Sequence, residues 1–148
     1  MSDTATITVP TTLGSAAYSD DAFLRAFEDG SLPPEGFHHT DHVRMTWLYL
    51  RAHGLDEGTR RIRDGIQLFA GRLGAATKYH ETITVAWTEL VWNALQQTPD
   101  IADAPSFVAA HPALADKGAL ARHYTKETLT SERARREYVA PDRKPIGA

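Results

Sequence analysis

Cysteine is missing from this chain of 148 residues. Its absence excludes disulfide bonds, thiolate zinc sites and cysteine nucleophiles. Long apolar runs are missing as well, so no segment is long enough to be read as a membrane span. Residues 1–18 have neither the basic start nor the apolar stretch that marks an export signal. Together these absences predict a cytoplasmic protein that does not act within a membrane.

An excess of positive charge is also lacking, since the formal net charge is −3. Proteins that bind nucleic acid usually carry a basic patch or stripe, so we expect no nucleic-acid partner. The basic residues near the C-terminus alternate with acidic ones and are interpreted as a solvated helix face. Arginine outnumbers lysine and alanine is abundant, which is typical of proteins from GC-rich bacterial genomes.

Apolar residues make up 42% of the chain and include three tryptophans, which is enough for one hydrophobic core. Apolar positions recur at helical spacing, and no alternation of period two is present. The sequence therefore predicts an all-α fold, a single-domain antiparallel helical bundle with short C-terminal helices packed over it. We expect a flexible N-terminal arm at residues 1–18, a helical domain at 19–140 and a tail at 141–148.

Helix boundaries follow from caps and breakers. Ser19 is predicted to start the first helix and Gly30 to end it. A second helix is expected to begin after Thr40 and to stop at Gly54. A third is predicted over residues 56–73 and a fourth over residues 77–97, with shorter pieces at 105–110, 114–123 and 131–138. The expected core stripe is Val43, Trp47, Leu50, Ile62, Ile66, Phe69, Leu73, Ile83, Trp87, Leu90, Val91 and Ala94.

Two segments rich in histidine open two of these helices. They read FHHTDH over residues 37–42 and KYHE over residues 78–81. Short connections favour antiparallel neighbours, so the second and fourth helices should start at the same end of the bundle. The sequence therefore predicts that the two segments lie side by side.

Metal binding is the first interpretation of this cluster. His39 and His42 are three residues apart, so both rings lie on one side of a helix. With His80 and Glu81 they would complete the protein ligands of a divalent ion, which we leave open as Fe, Zn, Cu, Ni or Mn. His38 is the reserve for His39. The plainer interpretation is that these histidines are polar loop and cap residues, and that Glu81 is a first-turn carboxylate favoured by the helix dipole.

Four further roles are assigned to neighbouring side chains. Lys78, Tyr79 and Arg44 are candidates to position a small, anionic substrate, and Glu81 is also a candidate general base. Arg44 lies two residues after His42, so it points elsewhere, and pairing with a carboxylate of another helix is its alternative role. An exposed Trp92 or Tyr138 would suit a homodimer face.

The segments FHHTDHVR (residues 37–44), KYHET (78–82) and YVAPD (138–142) resemble a group of small bacterial proteins with no established activity. The resemblance spans roughly residues 20–145 and implies an all-helical fold. It implies no catalytic residue.

Three functions remain open at this point. The favoured hypothesis is a small metal-dependent enzyme of small-molecule metabolism, in which hydrolysis, elimination or oxygen chemistry would each fit. The alternative is a metal-free enzyme or binding module for a carboxylate- or phosphate-bearing ligand, with acid–base chemistry by a histidine. The third is an interaction protein whose histidines are structural.

Overall fold

A computed structural model describes residues 18–33 and 37–147 of the chain. The described residues contain no strand and form six α-helices, which confirms the all-helical class. The helices are α1 (Asp20–Asp29), α2 (His39–Arg72), α3 (Glu81–Gln97), α4 (Ala104–Ala110), α5 (Lys126–Leu129) and α6 (Glu132–Arg136). Turns of 3-10 helix lie at Ala76–Lys78, Pro112–Ala115 and Ala119–Arg122. Apart from Tyr18, the predicted N-terminal arm lies outside the described residues.

The first helix has the boundaries that its sequence predicts. Ser19 is the N-cap, and its hydroxyl accepts a hydrogen bond from the Ala22 amide at 3.2 Å. Gly30 ends the helix with φ at +84°, a left-handed backbone conformation that residues other than glycine rarely adopt. The buried side of the helix is formed by Phe23 and Phe27, as expected.

The long helix α2 is broken at Gly54, where φ is 81° and ψ is −177°. The predicted stop is therefore confirmed, and α2 consists of two helical segments, residues 39–53 and 55–72. The N-cap was predicted at Thr40, but it is His38. The reason is Asp41, whose carboxylate accepts the His38 amide at 2.7 Å and so fixes the first turn earlier in the chain.

Helix α3 begins four residues later than the predicted Thr77, because residues 76–78 form a 3-10 turn and His80 is the N-cap. The backbone of His80 is extended, with φ at −129° and ψ at 109°. Histidine is an uncommon cap residue, so the sequence rules favoured an earlier start.

The core lies where α2 meets α1, α3 and α4. Trp47 is fully buried and its ring stacks on that of Phe107 in α4, with centroids 5.6 Å apart. Of the predicted stripe, Leu73 differs most, since 47% of it is exposed. It is the C-cap residue of α2, where the helix ends. No helix in the described ranges is long and apolar enough to cross a membrane.

Residues 137–144, here called the C-terminal strap, are hydrogen-bonded to the start of α3. The buried hydroxyl of Thr82 donates to the Glu137 carbonyl at 2.8 Å and accepts from the Val139 amide at 3.0 Å. Further along, Asp142 accepts the amide and hydroxyl of Thr125 at 2.8 and 2.7 Å. The Thr128 hydroxyl, which also donates to Asp142 at 2.7 Å, and then the two Thr125 groups lower the pKa of Asp142 to about 2. The predicted tail, residues 141–148, is therefore hydrogen-bonded to Thr125 through Asp142.

The hydroxyl of Thr82 gives the first prediction. Thr82→Val keeps the side-chain shape but leaves the Glu137 carbonyl and the Val139 amide without this partner. We expect the free energy of unfolding to fall by about 1–3 kcal/mol, measured by urea denaturation. Thr130→Val is the matched control, because its exposed hydroxyl also donates to a backbone carbonyl, that of Lys126 at 2.9 Å. Equal stability losses in the two variants would contradict the role given to Thr82.

Candidate functional site

His39 lies in the first turn of α2, against α3 and the 3-10 turn at Pro112–Ala115. Its ring packs edge-on to Trp87, with centroids 4.6 Å apart. Its Nε2 is 2.8 Å from the Leu114 carbonyl, so this nitrogen carries the hydrogen and donates it. Trp87 is seven residues beyond His80, which along a helix is roughly 10 Å. His39 therefore packs two turns along α3 rather than beside His80.

His42, one turn further along α2, has a different neighbour. Its ring lies beside Phe37, with centroids 6.2 Å apart, and Phe37 in turn packs on Phe69. The Nε2 atom is buried and has no hydrogen-bond partner within the described part of the chain. Burial, and secondarily the nearby His39, lowers the pKa of His42 to about 4. His42 is therefore a neutral imidazole at pH 7.

His80 uses both ring nitrogens in holding the backbone. Its Nδ1 accepts the Ile83 amide at 3.0 Å and so caps α3. Because Nδ1 is the acceptor, the hydrogen is on Nε2, which donates to the Leu129 carbonyl at 2.7 Å. A metal ion could bind His80 only if one of these contacts were given up.

Glu81, Tyr79 and Arg63 form one hydrogen-bonded group at the start of α3. The Arg63 Nε is 2.9 Å from one carboxylate oxygen of Glu81, and the Tyr79 hydroxyl donates to the other at 2.7 Å. Burial, together with this carboxylate, raises the pKa of Tyr79 to about 12. Tyr79 is thus a hydrogen-bond donor at neutral pH, and Glu81 is committed to two partners.

Arg44 has the alternative role that the sequence allowed. Its Nη2 is 2.8 Å from the Asp20 carboxylate and donates to the Tyr18 carbonyl at 2.9 Å, while its guanidinium lies 4.5 Å from the centre of the Phe23 ring. Arg44 therefore ties the start of α1 to α2.

The four predicted metal ligands do not form one group in the structure. His39 packs on Trp87, His42 on Phe37, and His80 and Glu81 are bonded to other partners. Across residues 18–33 and 37–147, no three side chains of histidine, aspartate or glutamate are arranged to hold a metal ion. These side-chain conformations therefore do not fit the metal centre, which stays a prediction from sequence.

A cavity of about 350 Å³ lies between the end of α2 and the start of α3. Its wall is largely apolar and is formed by Ile66, Phe69, Ala70, Leu73, Ala75 and Ile83. Four polar residues complete the lining, namely Lys78, Tyr79, His80 and Thr84. A few polar groups around an apolar hollow of this size are typical of a small-molecule site. We call it the α2–α3 cavity.

The polar groups of the α2–α3 cavity differ in what they can still do. The hydroxyl of Thr84 donates to the His80 carbonyl at 2.8 Å, while His80 and Tyr79 have the partners described above. Lys78 is exposed, and its ammonium has no ion pair with any described residue. Lys78 is therefore the group best placed to meet a ligand's charge.

Two parts of this site do not follow from the sequence. The sequence predicts four wall residues only as core, because helical spacing does not tell which end of an apolar stripe is left uncovered; they are Ile66, Phe69, Leu73 and Ile83. The second part is Arg63, which follows the buried Ile62 and precedes Glu81 by 18 residues. Its pairing with Glu81 depends on how α2 and α3 pack, which local spacing does not specify.

Comparison with known proteins gives no relative from which a function can be carried over. No protein-family model, curated protein or solved structure matches the chain. The resemblance to small bacterial proteins therefore stays a prediction, and function must be argued from geometry.

The buried imidazole of His42 predicts a specific pH dependence. An unfolded histidine has a pKa near 6.5, and the folded value is about 4. Between these values the unfolded state binds more protons, so stability falls as pH is lowered from 6.5 to 4. The loss should be up to about 3 kcal/mol and should be absent above pH 7. Urea denaturation of wild type and His42→Gln from pH 7.5 to 4 measures it as a difference in slope, and identical slopes would show that His42 is not shifted.

The contacts of His80 predict the behaviour of the protein towards chelators. Since both ring nitrogens are used, we expect protein purified without a nickel column to keep its Tm when treated with EDTA, and to contain well under one metal ion per chain. Elemental analysis and thermal melting provide these two values. One metal per chain, lost with EDTA together with a lower Tm, would instead support the metal centre predicted from sequence.

Proposed function

We propose that this protein is a metal-free binding module for a small organic anion, a molecule with a carboxylate or phosphate on an apolar body. The ligand lies in the α2–α3 cavity with its charge near Lys78. The observation that carries the proposal is the pairing of an apolar wall with one cation that has no ion pair among the described residues. Apolar surface supplies most of the binding free energy in such a site, and the charge fixes the orientation.

Binding is favoured over acid–base catalysis by the state of the groups that line the cavity. The two nitrogens of His80 are hydrogen-bonded to Ile83 and Leu129. Tyr79, with its pKa raised to about 12, keeps its proton and shares it with Glu81. A general base needs a pKa near the working pH and an available lone pair. Neither of these side chains meets both conditions.

Hydrogen bonds from the C-terminal helices α5 and α6 fix the backbone around the α2–α3 cavity. The Arg135 guanidinium donates to the Thr77 carbonyl at 2.8 Å, next to Lys78. The Leu129 carbonyl accepts from His80 at 2.7 Å on the other side of the turn. Because the polar residues at the opening of the cavity are already ordered, they lose little conformational entropy when a ligand binds, which favours affinity.

Benzoate and phenyl phosphate are suitable probes, because each carries an anionic group on a small apolar body. We expect at least one of them to bind with shifts of backbone amide signals confined to residues 66–84 in NMR titration. Lys78→Gln should weaken that binding by about three- to tenfold, the range expected for losing one partly exposed charge contact.

Lys117→Gln is the matched control, since Lys117 is an exposed lysine of the turn at residues 116–118 and does not line the cavity. It should leave both probe affinities unchanged. The proposal is wrong if neither probe binds, if the shifts fall elsewhere, or if the two lysine variants have the same effect.

A further inference from the structure

Within the part of the chain that the structure describes, one positive charge is available at the α2–α3 cavity. Arg63 lies nearby but is paired with Glu81 at 2.9 Å. Arg135 is paired with Glu132 through two nitrogens, at 2.7 and 2.8 Å. Among the described residues of the lining, Lys78 is the one cation, so a ligand with one negative charge is neutralised and a ligand with two is not.

The N-terminus of α3 does not supply the missing charge. The free amides of a first helical turn commonly bind phosphate groups. Here one of these amides, that of Ile83, already donates to the His80 ring at 3.0 Å. The carboxylate of Glu81 also lies in this turn, where it would repel an anion. A phosphate is therefore disfavoured at the start of α3.

The apolar wall is long compared with the polar mouth. It follows one face of α2 from Ile66 through Phe69 to Leu73, and Ile83 faces it from α3. Leu73 keeps 47% of its surface exposed. A chain or ring of several carbons would cover this surface.

From these observations we propose that the ligand is a hydrophobic monocarboxylate, with its carboxylate at Lys78 and its carbon body along Ile66, Phe69 and Leu73. This inference rests on the proposed binding function and narrows it to one charge and one kind of body. Dianionic phosphate esters and short polar acids are the ligands that it excludes.

The test compares hexanoate with hexyl phosphate, hexanol and acetate, with binding measured by NMR titration or calorimetry at constant ionic strength. We expect hexanoate to bind about three- to tenfold more tightly than hexanol, the factor given above for the Lys78 contact, and more tightly than hexyl phosphate and acetate. Along the series from butyrate to hexanoate, each methylene should tighten binding by about fourfold, the factor that corresponds to burying one CH₂ group.

Two leucines provide a matched pair of variants. Leu73→Asn should reduce the gain per methylene, because it removes part of the wall. Leu68→Asn should not, since Leu68 is exposed to a similar extent, 51%, but lines a different cavity with Glu28 and Tyr49. Both positions are exposed, so both variants should fold, and thermal melting checks this.

The outcomes separate this inference from the function on which it rests. If hexyl phosphate binds in a Lys78-dependent way and hexanoate binds more weakly, the binding function stands and the monocarboxylate is wrong. If hexanol equals hexanoate, or if the two leucine variants behave alike, the monocarboxylate is again wrong. If none of the probes binds, the binding function itself fails.

Discussion

The double hydrogen bond of His80 is the interaction on which this end of the molecule depends. Its Nδ1 ends the irregular turn and starts α3, and its Nε2 fixes the carbonyl at the end of α5. One ring thereby fixes the start of α3, the position of the Lys78 turn and the position of the C-terminal helices. A hydrogen bond adds only about 1 kcal/mol to stability, but leaving buried partners without one costs more. The constraint is therefore chiefly geometric, since other tautomers or rotamers of the ring would leave a backbone group unpaired.

Hydrogen bonds and ion pairs also occupy most of the other polar side chains near the two histidine segments. Glu81, Tyr79 and Arg63 neutralise and hold one another, and Arg44 is fixed by Asp20 and the Tyr18 carbonyl. Such partners use up the lone pairs that these side chains would need for acid–base catalysis. Lys78 remains as a cation beside apolar surface, and the proposed binding function rests on this pair.

Much of the fold followed from the sequence, because caps and breakers act locally. Ser19, Gly30 and Gly54 each perform the role that their chemistry predicts. The start of α3 did not follow, since a histidine cap depends on a carbonyl 49 residues away, at Leu129. Helix α5 was missed for a related reason: a four-residue helix has little intrinsic stability, and here Asp142 holds its first turn from beyond the helix. Interactions across such distances leave no periodic trace in sequence.

The candidate site shows the same division between residue types and their partners. Spacing placed His39 and His42 on neighbouring positions of one helix, but it did not determine that one ring packs on Trp87 and the other beside Phe37. The topology predicts that α2 and α3 start at the same end of the bundle, but it does not say how far one start is displaced from the other along the axis. The contact of His39 with Trp87 places His39 about two helical turns from His80. A ligand set for a metal must converge within a few ångströms, whereas a binding cavity needs only a wall and a charge. The offset between these helices is therefore compatible with the cavity and unfavourable to the metal centre.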